Sequence, residues 1–184
     1  MTDRLKNKIA IVTGAGAGIG EAIAHKFASE GAKLMLAGLP DDPLEDVRGN
    51  ICDKYGLSKD DVIVFKGDLG QKENAETCVK KAVEAFGQLD ILINNAGVFL
   101  FAGPTEKYPD DKFEQTVSSN VGSVFYMTRA ALPHLQKTRG CIVAAGSESG
   151  LLGIANNTVY GATKGWIHAF IKGVAVEQGK FGVR

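Results

Sequence analysis

The chain has 184 residues, 45% of them apolar and 23% charged, with 21 basic residues against 21 acidic ones. That length supports one domain with a real core, and the even charge balance leaves no footprint for nucleic acid or an anionic membrane surface. No apolar run is long enough to span a bilayer, and the charged start, Met-Thr-Asp-Arg-Leu-Lys-Asn-Lys, lacks a signal-peptide core.

Strand and helix patterns then alternate along the chain. Residues 8–13 form a short apolar, β-rich run; glycines follow, and a helix pattern covers 19–29. Residues 33–37 read as a second strand. Asp42-Pro43 reads as a helix start, with Asp as N-cap and Pro at the first helical position, for a helix reaching residue 55. A third strand is predicted over 61–65, an amphipathic helix over 71–86 and a fourth strand over 89–94. One long helix is predicted over 110–136, a fifth strand over 140–145 and a last helix over 158–177.

No repeat, low-complexity segment or linker interrupts this order, so residues 1–184 are expected to form a single domain. Regular β-α alternation with apolar strands predicts an α/β fold, a parallel sheet covered on both faces and doubly wound in the Rossmann manner. Its ligand site belongs at the carboxyl ends of the strands. Cys52, Cys78 and Cys141 are isolated and odd in number. That predicts reduced thiols in a cytoplasmic setting, with Cys141 as plain core. His25, His134 and His168 are far apart and lack ligand spacing, so no metal site is expected.

Two motifs carry chemistry. Thr13-Gly14-Ala15-Gly16-Ala17-Gly18-Ile19-Gly20 joins the first strand to the first helix. Glycines permit a tight turn and a close backbone approach to a pyrophosphate. The helix N-terminus adds free N–H groups and the positive end of its dipole. The spacing is Gly-x-x-x-Gly-x-Gly, because position 19 is Ile. The second motif is Tyr160-Gly-Ala-Thr-Lys164, with Ser147 thirteen residues before the tyrosine. Positions i and i+4 of a helix share a face. A lysine ammonium beside a phenol favours the phenolate and lowers its pKa from about 10. Such a tyrosine exchanges a proton with a substrate oxygen near neutral pH, and a serine alongside would hydrogen-bond that oxygen. Alone, Tyr-x-x-x-Lys reads as an ordinary helix-surface pair.

Taken together, Thr13-Gly14-x-x-x-Gly18-Ile19-Gly20, Asn94-Asn95-Ala96-Gly97, Ser147 and Tyr160-x-x-x-Lys164 occur in an order and spacing that resembles the short-chain dehydrogenase/reductase family across essentially the whole chain. The resemblance implies hydride transfer between a nicotinamide cofactor and an alcohol or carbonyl substrate. It implies Tyr160 as proton donor or acceptor, Lys164 on the nicotinamide ribose, Ser147 orienting the substrate oxygen, and Asn120 holding a water in the proton relay. It implies cofactor contacts from Gly14, Gly16, Gly18, Ile19 and Gly20, and from Gly38 and Leu39 at the end of the second strand. Asp68, against the adenine, and Leu69 follow the third strand; Asn94, Ala96 and Gly97 edge the site, with Tyr160 and Lys164. For Asn94, bracing the sheet weighs at least as much as direct contact. For Asn120, sequence alone favours an ordinary helix residue.

The cofactor-selecting position falls about 20 residues past the glycine loop. Here it holds Gly38 and Leu39, neither acidic nor basic. No cation is evident nearby, Ala17 stands where NADP-users of the family often carry a base, and Asp41 and Asp42 disfavour a phosphate. NAD(H) is therefore expected over NADP(H). Beyond Arg184 the family's pattern continues with a sixth strand, a substrate loop, a helix and a seventh strand. Relative to it the chain is expected to lack the last two strands and last helix. That leaves one wall of the substrate pocket open and one sheet edge unpaired.

The last helix is apolar over a wide arc, at Ala162, Trp166, Ile167, Ala169, Phe170, Ile171 and Val174, and so is buried on more than one side. The resemblance implies a homodimer or tetramer through the two long helices, with Tyr126, Met127, Ala130, Ala131 and Leu135 as the second surface. Phe99, Leu100 and Phe101 either line an apolar pocket or pack as core. Leu151, Leu152, Ile154 and Asn156 are expected to face the substrate. A function of another class is a truncated, non-catalytic dinucleotide-binding or dimerising partner of a full-length relative.

Overall fold

Five short strands, β1 (Ile9–Thr13), β2 (Lys33–Gly38), β3 (Val62–Lys66), β4 (Ile91–Asn94) and β5 (Cys141–Ala144), pair in parallel in the order β3-β2-β1-β4-β5. The computed structural model describes residues 3–184. The helices between the strands are α1 (Gly18–Ser29), α2 (Leu44–Tyr55), α3 (Lys72–Phe86), α4 (Asp110–Val117), α5 (Ser123–Thr138) and α6 (Thr158–Gln178). Strand order reverses between β1 and β4, so the switch point lies where the glycine loop leaves the sheet.

The alternation along β1 explains the layers. Ile9 and Ile11 point to one face, where Met35, Leu92 and Ile142 join residues of α3, α5 and α6. Ala10 and Val12 point to the other, with Leu34, Leu36 and Ile93 against α1 and α2. Both faces are covered, which is why the strands read as unbroken apolar runs. Each fully buried Leu or Ile contributes about 1.5–3 kcal/mol.

Most element ends fall within about two residues of the sequence expectation, and three expectations are corrected. The helix predicted over 110–136 is two helices, α4 and α5, joined by a π turn at Ser118–Gly122. The extra residue of that turn brings the Asn120 side chain inward, where backbone groups of Val98 pair with it. Asp42 does not cap α2, which begins at Leu44 after Pro43 with no side-chain cap. Its carboxylate instead turns back to accept the Leu39 N–H at 2.8 Å. Cys141 is only partly buried, because β5 is the outermost of the five strands and its second face is uncovered; Val143 on it is 51% exposed.

The outer edge of β5 carries the start of a further ladder. Arg184 N–H donates to the Gly140 carbonyl at 3.1 Å, and Ile142 N–H donates to the Arg184 carbonyl at 2.8 Å. No described helix is long and apolar enough to cross a membrane.

Candidate active site

At the carboxyl edge of the sheet one threonine joins two loops. Thr13 Oγ1 donates to the Ile93 carbonyl (3.1 Å) and accepts from the N–H groups of Asn95 (2.9 Å) and Ala96 (3.0 Å). The Asn95 amide donates back to the Thr13 carbonyl at 3.1 Å. The glycine loop and the Asn94–Gly97 turn therefore lie backbone against backbone. A Cβ at Gly20 would collide with the Gly14 carbonyl oxygen, and one at Gly14 would stand 3.0 Å from Ala96 Cα. Gly14 and Gly18 both adopt the left-handed region, φ +63° and +58°, which favours glycine. No side chain caps α1, and no heavy atom lies within 4 Å of where a Gly18 Cβ would be. The first-turn N–H groups are thus left for an anion.

A cleft of about 250 Å³ opens over this loop. Of the residues expected to contact a cofactor, Gly14, Gly16, Gly38, Leu39, Asp68, Leu69, Ala96 and Gly97 line it. Gly18, Ile19 and Gly20 form the start of α1 beside it, with Ile19 exposed and Gly20 packed on Gly14. Asn94 is buried and donates to Thr128 Oγ1 on α5 at 3.0 Å, a brace between sheet and helix. Asp68 accepts the Gly70 N–H at 2.9 Å and so shapes the loop after β3. Gly-rich backbone and an uncapped helix start fit the pyrophosphate of a dinucleotide.

The other group of residues gathers on α6. Lys164 is buried, its ammonium donating to the Ala145 carbonyl at 2.8 Å and lying 5.6 Å from the centre of the Tyr160 ring. Burial pushes its pKa below the ordinary lysine value. A Cβ on Gly97 would stand 3.0 Å from Asn120 Oδ1 and 3.5 Å from Lys164 Nζ, so this glycine opens the space between turn and lysine. Asn120 is fully buried. Its Oδ1 accepts from Val98 N–H (2.7 Å), while Nδ2 donates to the Val98 carbonyl (3.0 Å) and to Thr163 Oγ1 (3.1 Å). It clamps the loop after β4 onto α6.

Ser147 follows β5 and starts a single 3-10 turn, Glu148–Gly150, its Oγ accepting the Ser149 N–H at 3.2 Å. That turn lies tight on α6. A Cβ at Gly150 would stand 2.6 Å from Gly165 N, and one at Gly161 would stand 2.6 Å from the Ser149 carbonyl oxygen. His168, one turn beyond Lys164, has its Nε2 3.1 Å from the Ser147 carbonyl. The Tyr160 ring meets Phe99 edge-on at 5.1 Å, and Phe99 is half exposed; Leu151, Leu152 and Ile154, between Ser147 and Tyr160 in the chain, are exposed as well.

One residue escaped the sequence reading. His168 had no ligand spacing to mark it, and only the fold reveals its contact with Ser147. Asp42, expected both to cap a helix and to disfavour a phosphate, does not cap α2 and lines the cleft. The expected oligomer surface is also corrected: Met127, Ala131 and Leu135 are fully buried in the core beneath α5, so they are not available to a partner.

A parallel sheet with a glycine turn at its switch point defines the Rossmann class. Residues 8–184 match the short chain dehydrogenase family. The chain is 39% identical over 181 residues to an uncharacterized oxidoreductase of Staphylococcus aureus (strain MRSA252), covering 98% of this chain and 75% of that one. It is 34% identical over 181 residues to the meso-2,3-butanediol dehydrogenase of Serratia marcescens, covering 98% and 69%. Among solved structures it is similar to NAD+-bound xylitol dehydrogenase, with a TM-score of 0.92 and 29% identity over 98% of this chain and 68% of that one. The chain belongs to the short chain dehydrogenase family of oxidoreductases. These relatives are longer than this 184-residue chain.

Proposed function

We propose that this chain interconverts a small secondary alcohol and its ketone with NAD(H), Tyr160 giving or taking the proton at the substrate oxygen. One observation carries the reading most. A buried lysine ammonium, fixed by the Ala145 carbonyl, lies beside the Tyr160 ring at the same strand edge as a dinucleotide-shaped cleft. Held there, the ammonium stands beside the residue proposed to exchange the proton. Ser147 orients the substrate oxygen, and Asn120 holds the Val98 loop and α6 in register. The nicotinamide, when bound, supplies or accepts the hydride. Placement of both partners lowers the entropic part of the barrier.

The exposed apolar side chains of Phe99, beside Tyr160, and of Leu151, Leu152 and Ile154, between Ser147 and Tyr160 in the chain, suit an uncharged substrate. The butanediol and xylitol dehydrogenases among its similar proteins make vicinal diols and hydroxyketones the first class to try. A cytoplasmic homo-oligomer is part of the proposal. An aromatic face supports it, with Trp166 stacked on Phe170 at 4.5 Å, Phe125 6.1 Å from Phe170, and exposed Phe113 nearby on α4.

The experiment is a titration of the 184-residue chain with NADH and NADPH, read by nicotinamide fluorescence and by thermal stability, followed by diol oxidation monitored as NADH formation. Saturable binding with a raised melting temperature and turnover are expected. Binding without turnover on any diol or ketone would point to the non-catalytic reading.

A further inference from the structure

We infer that Asp42 selects the cofactor: its carboxylate accepts the 2′-hydroxyl of the adenosine ribose and excludes a 2′-phosphate. This rests on the nicotinamide-cofactor reading proposed above and names the residue behind its NAD preference.

A site for NAD needs an acidic group about 20 residues past the glycine loop, at the end of the second strand. Strand β2 ends instead on Gly38. The fold supplies the missing carboxylate from further along. The chain turns through Leu39, Pro40 and Asp41, and Asp42 folds back onto the strand end, its Oδ2 accepting the Leu39 N–H at 2.8 Å. A Cβ on residue 38 would collide with that same oxygen. The carboxylate thus fills the volume that a strand-end side chain would occupy.

The glycine loop makes room from the opposite side. A Cβ on Gly16 would stand 2.9 Å from Asp42 Cβ. A glycine of the loop after β1 and the glycine that ends β2 therefore flank one aspartate, and all three line the same cleft. With Oδ2 bonded to Leu39, Oδ1 has no hydrogen-bond partner among the described residues and is left for a ribose hydroxyl. A hydroxyl donating to a carboxylate gains a charge-assisted bond. A phosphate there meets like charge, and the cleft lining holds Asp42 and Asp68 but no lysine or arginine to offset it. Asp68 also lines the cleft with one carboxylate oxygen bonded to a backbone N–H, but it follows β3 and not the end of β2, where the selecting group belongs.

The test uses cofactor fragments without nicotinamide, so that it does not depend on turnover. Affinities of the 184-residue chain for ADP-ribose, its adenosine 2′-deoxy analogue and 2′-phospho-ADP-ribose are measured by isothermal titration. The wild type is compared with Asp42→Asn, which keeps an acceptor for Leu39 but removes the charge, and with Asp42→Ser in case the first variant does not fold. Wild type should bind ADP-ribose about ten-fold or more tightly than either analogue. In the variants the penalty for the 2′-phosphate should fall to within about three-fold. Equal wild-type affinity for ADP-ribose and its 2′-phosphate, or a preference unchanged in folded variants, overturns the assignment while leaving the cofactor reading intact. No wild-type binding of any fragment overturns both.

Discussion

The ammonium of Lys164 donates to the carbonyl of Ala145 across 2.8 Å. The charge beside Tyr160 is therefore positioned by the end of β5 as well as by the spacing along α6. Replacing Lys164 by Met should lower kcat/KM by about 10²-fold or more in a chain that still folds. The same substitution has a stability signature. Burial holds the folded-state pKa of Lys164 below its ordinary 10.5. Between those two values the unfolded chain binds more protons, so stability rises with pH across that window. Urea midpoints measured through the alkaline range should show that rise in wild type and a flatter profile in Lys164→Met.

Tyr160→Phe keeps the edge-on contact with Phe99 and removes only the hydroxyl. Turnover should fall by about 10³-fold or more, with NADH affinity within about two-fold of wild type. Steady-state kinetics beside fluorescence titration check this, and near-normal turnover in the Phe variant would remove Tyr160 from the proposal.

Asn120→Ala leaves the part-buried N–H and carbonyl of Val98 without this partner, while the Thr163 hydroxyl keeps its bond to the Tyr160 carbonyl. Leaving such a group unpaired costs about 1–3 kcal/mol, so a loss of about 2 kcal/mol is expected in denaturant unfolding. Activity should fall with it, because the same amide holds the loop beside Lys164.

Asp61 marks the acid limb. Its carboxylate is held below the ordinary carboxylate range by hydrogen bonds from Ser58 first and Lys33 next. A depressed carboxylate stabilises fully above its unfolded pKa, and that contribution disappears as pH falls through the folded value. Asp61→Ala should cost about 1 kcal/mol at neutral pH and progressively less in strong acid, as read from urea midpoints against pH.

The aromatic face of α4, α5 and α6 offers a separate check on assembly. Trp166→Arg breaks the stack on Phe170 and places a charge in the proposed interface. Light scattering on the eluting protein should show an oligomer for wild type and a smaller species for the variant. An unchanged mass would move the interface elsewhere.

The layers and the proximity of Tyr160 to Lys164 were both legible in the sequence. Apolar runs of strand length, alternating with helix patterns, require a parallel sheet with both faces covered, and β1 shows why: Ile9 and Ile11 serve one core, Ala10 and Val12 the other. The four-residue spacing of Tyr160 and Lys164 is enough to put them on one helix face. Local periodicity decides such things, because it acts between residues close in the chain.

What periodicity cannot supply is the partner of a polar side chain distant in sequence. Asn120 looked like an ordinary helix residue, and its environment is a π turn clamped to Val98 and Thr163. Asp42 looked like a helix cap, and it lies instead between Gly38 at the end of β2 and Gly16 in the loop after β1. Met127 and Leu135 looked available to a partner, and the sheet buries them. In each case the chain alone placed the residue in or beside a helical pattern, while tertiary packing decided its role. A hydrogen bond or a close backbone approach depends on which loops the sheet order brings to one edge.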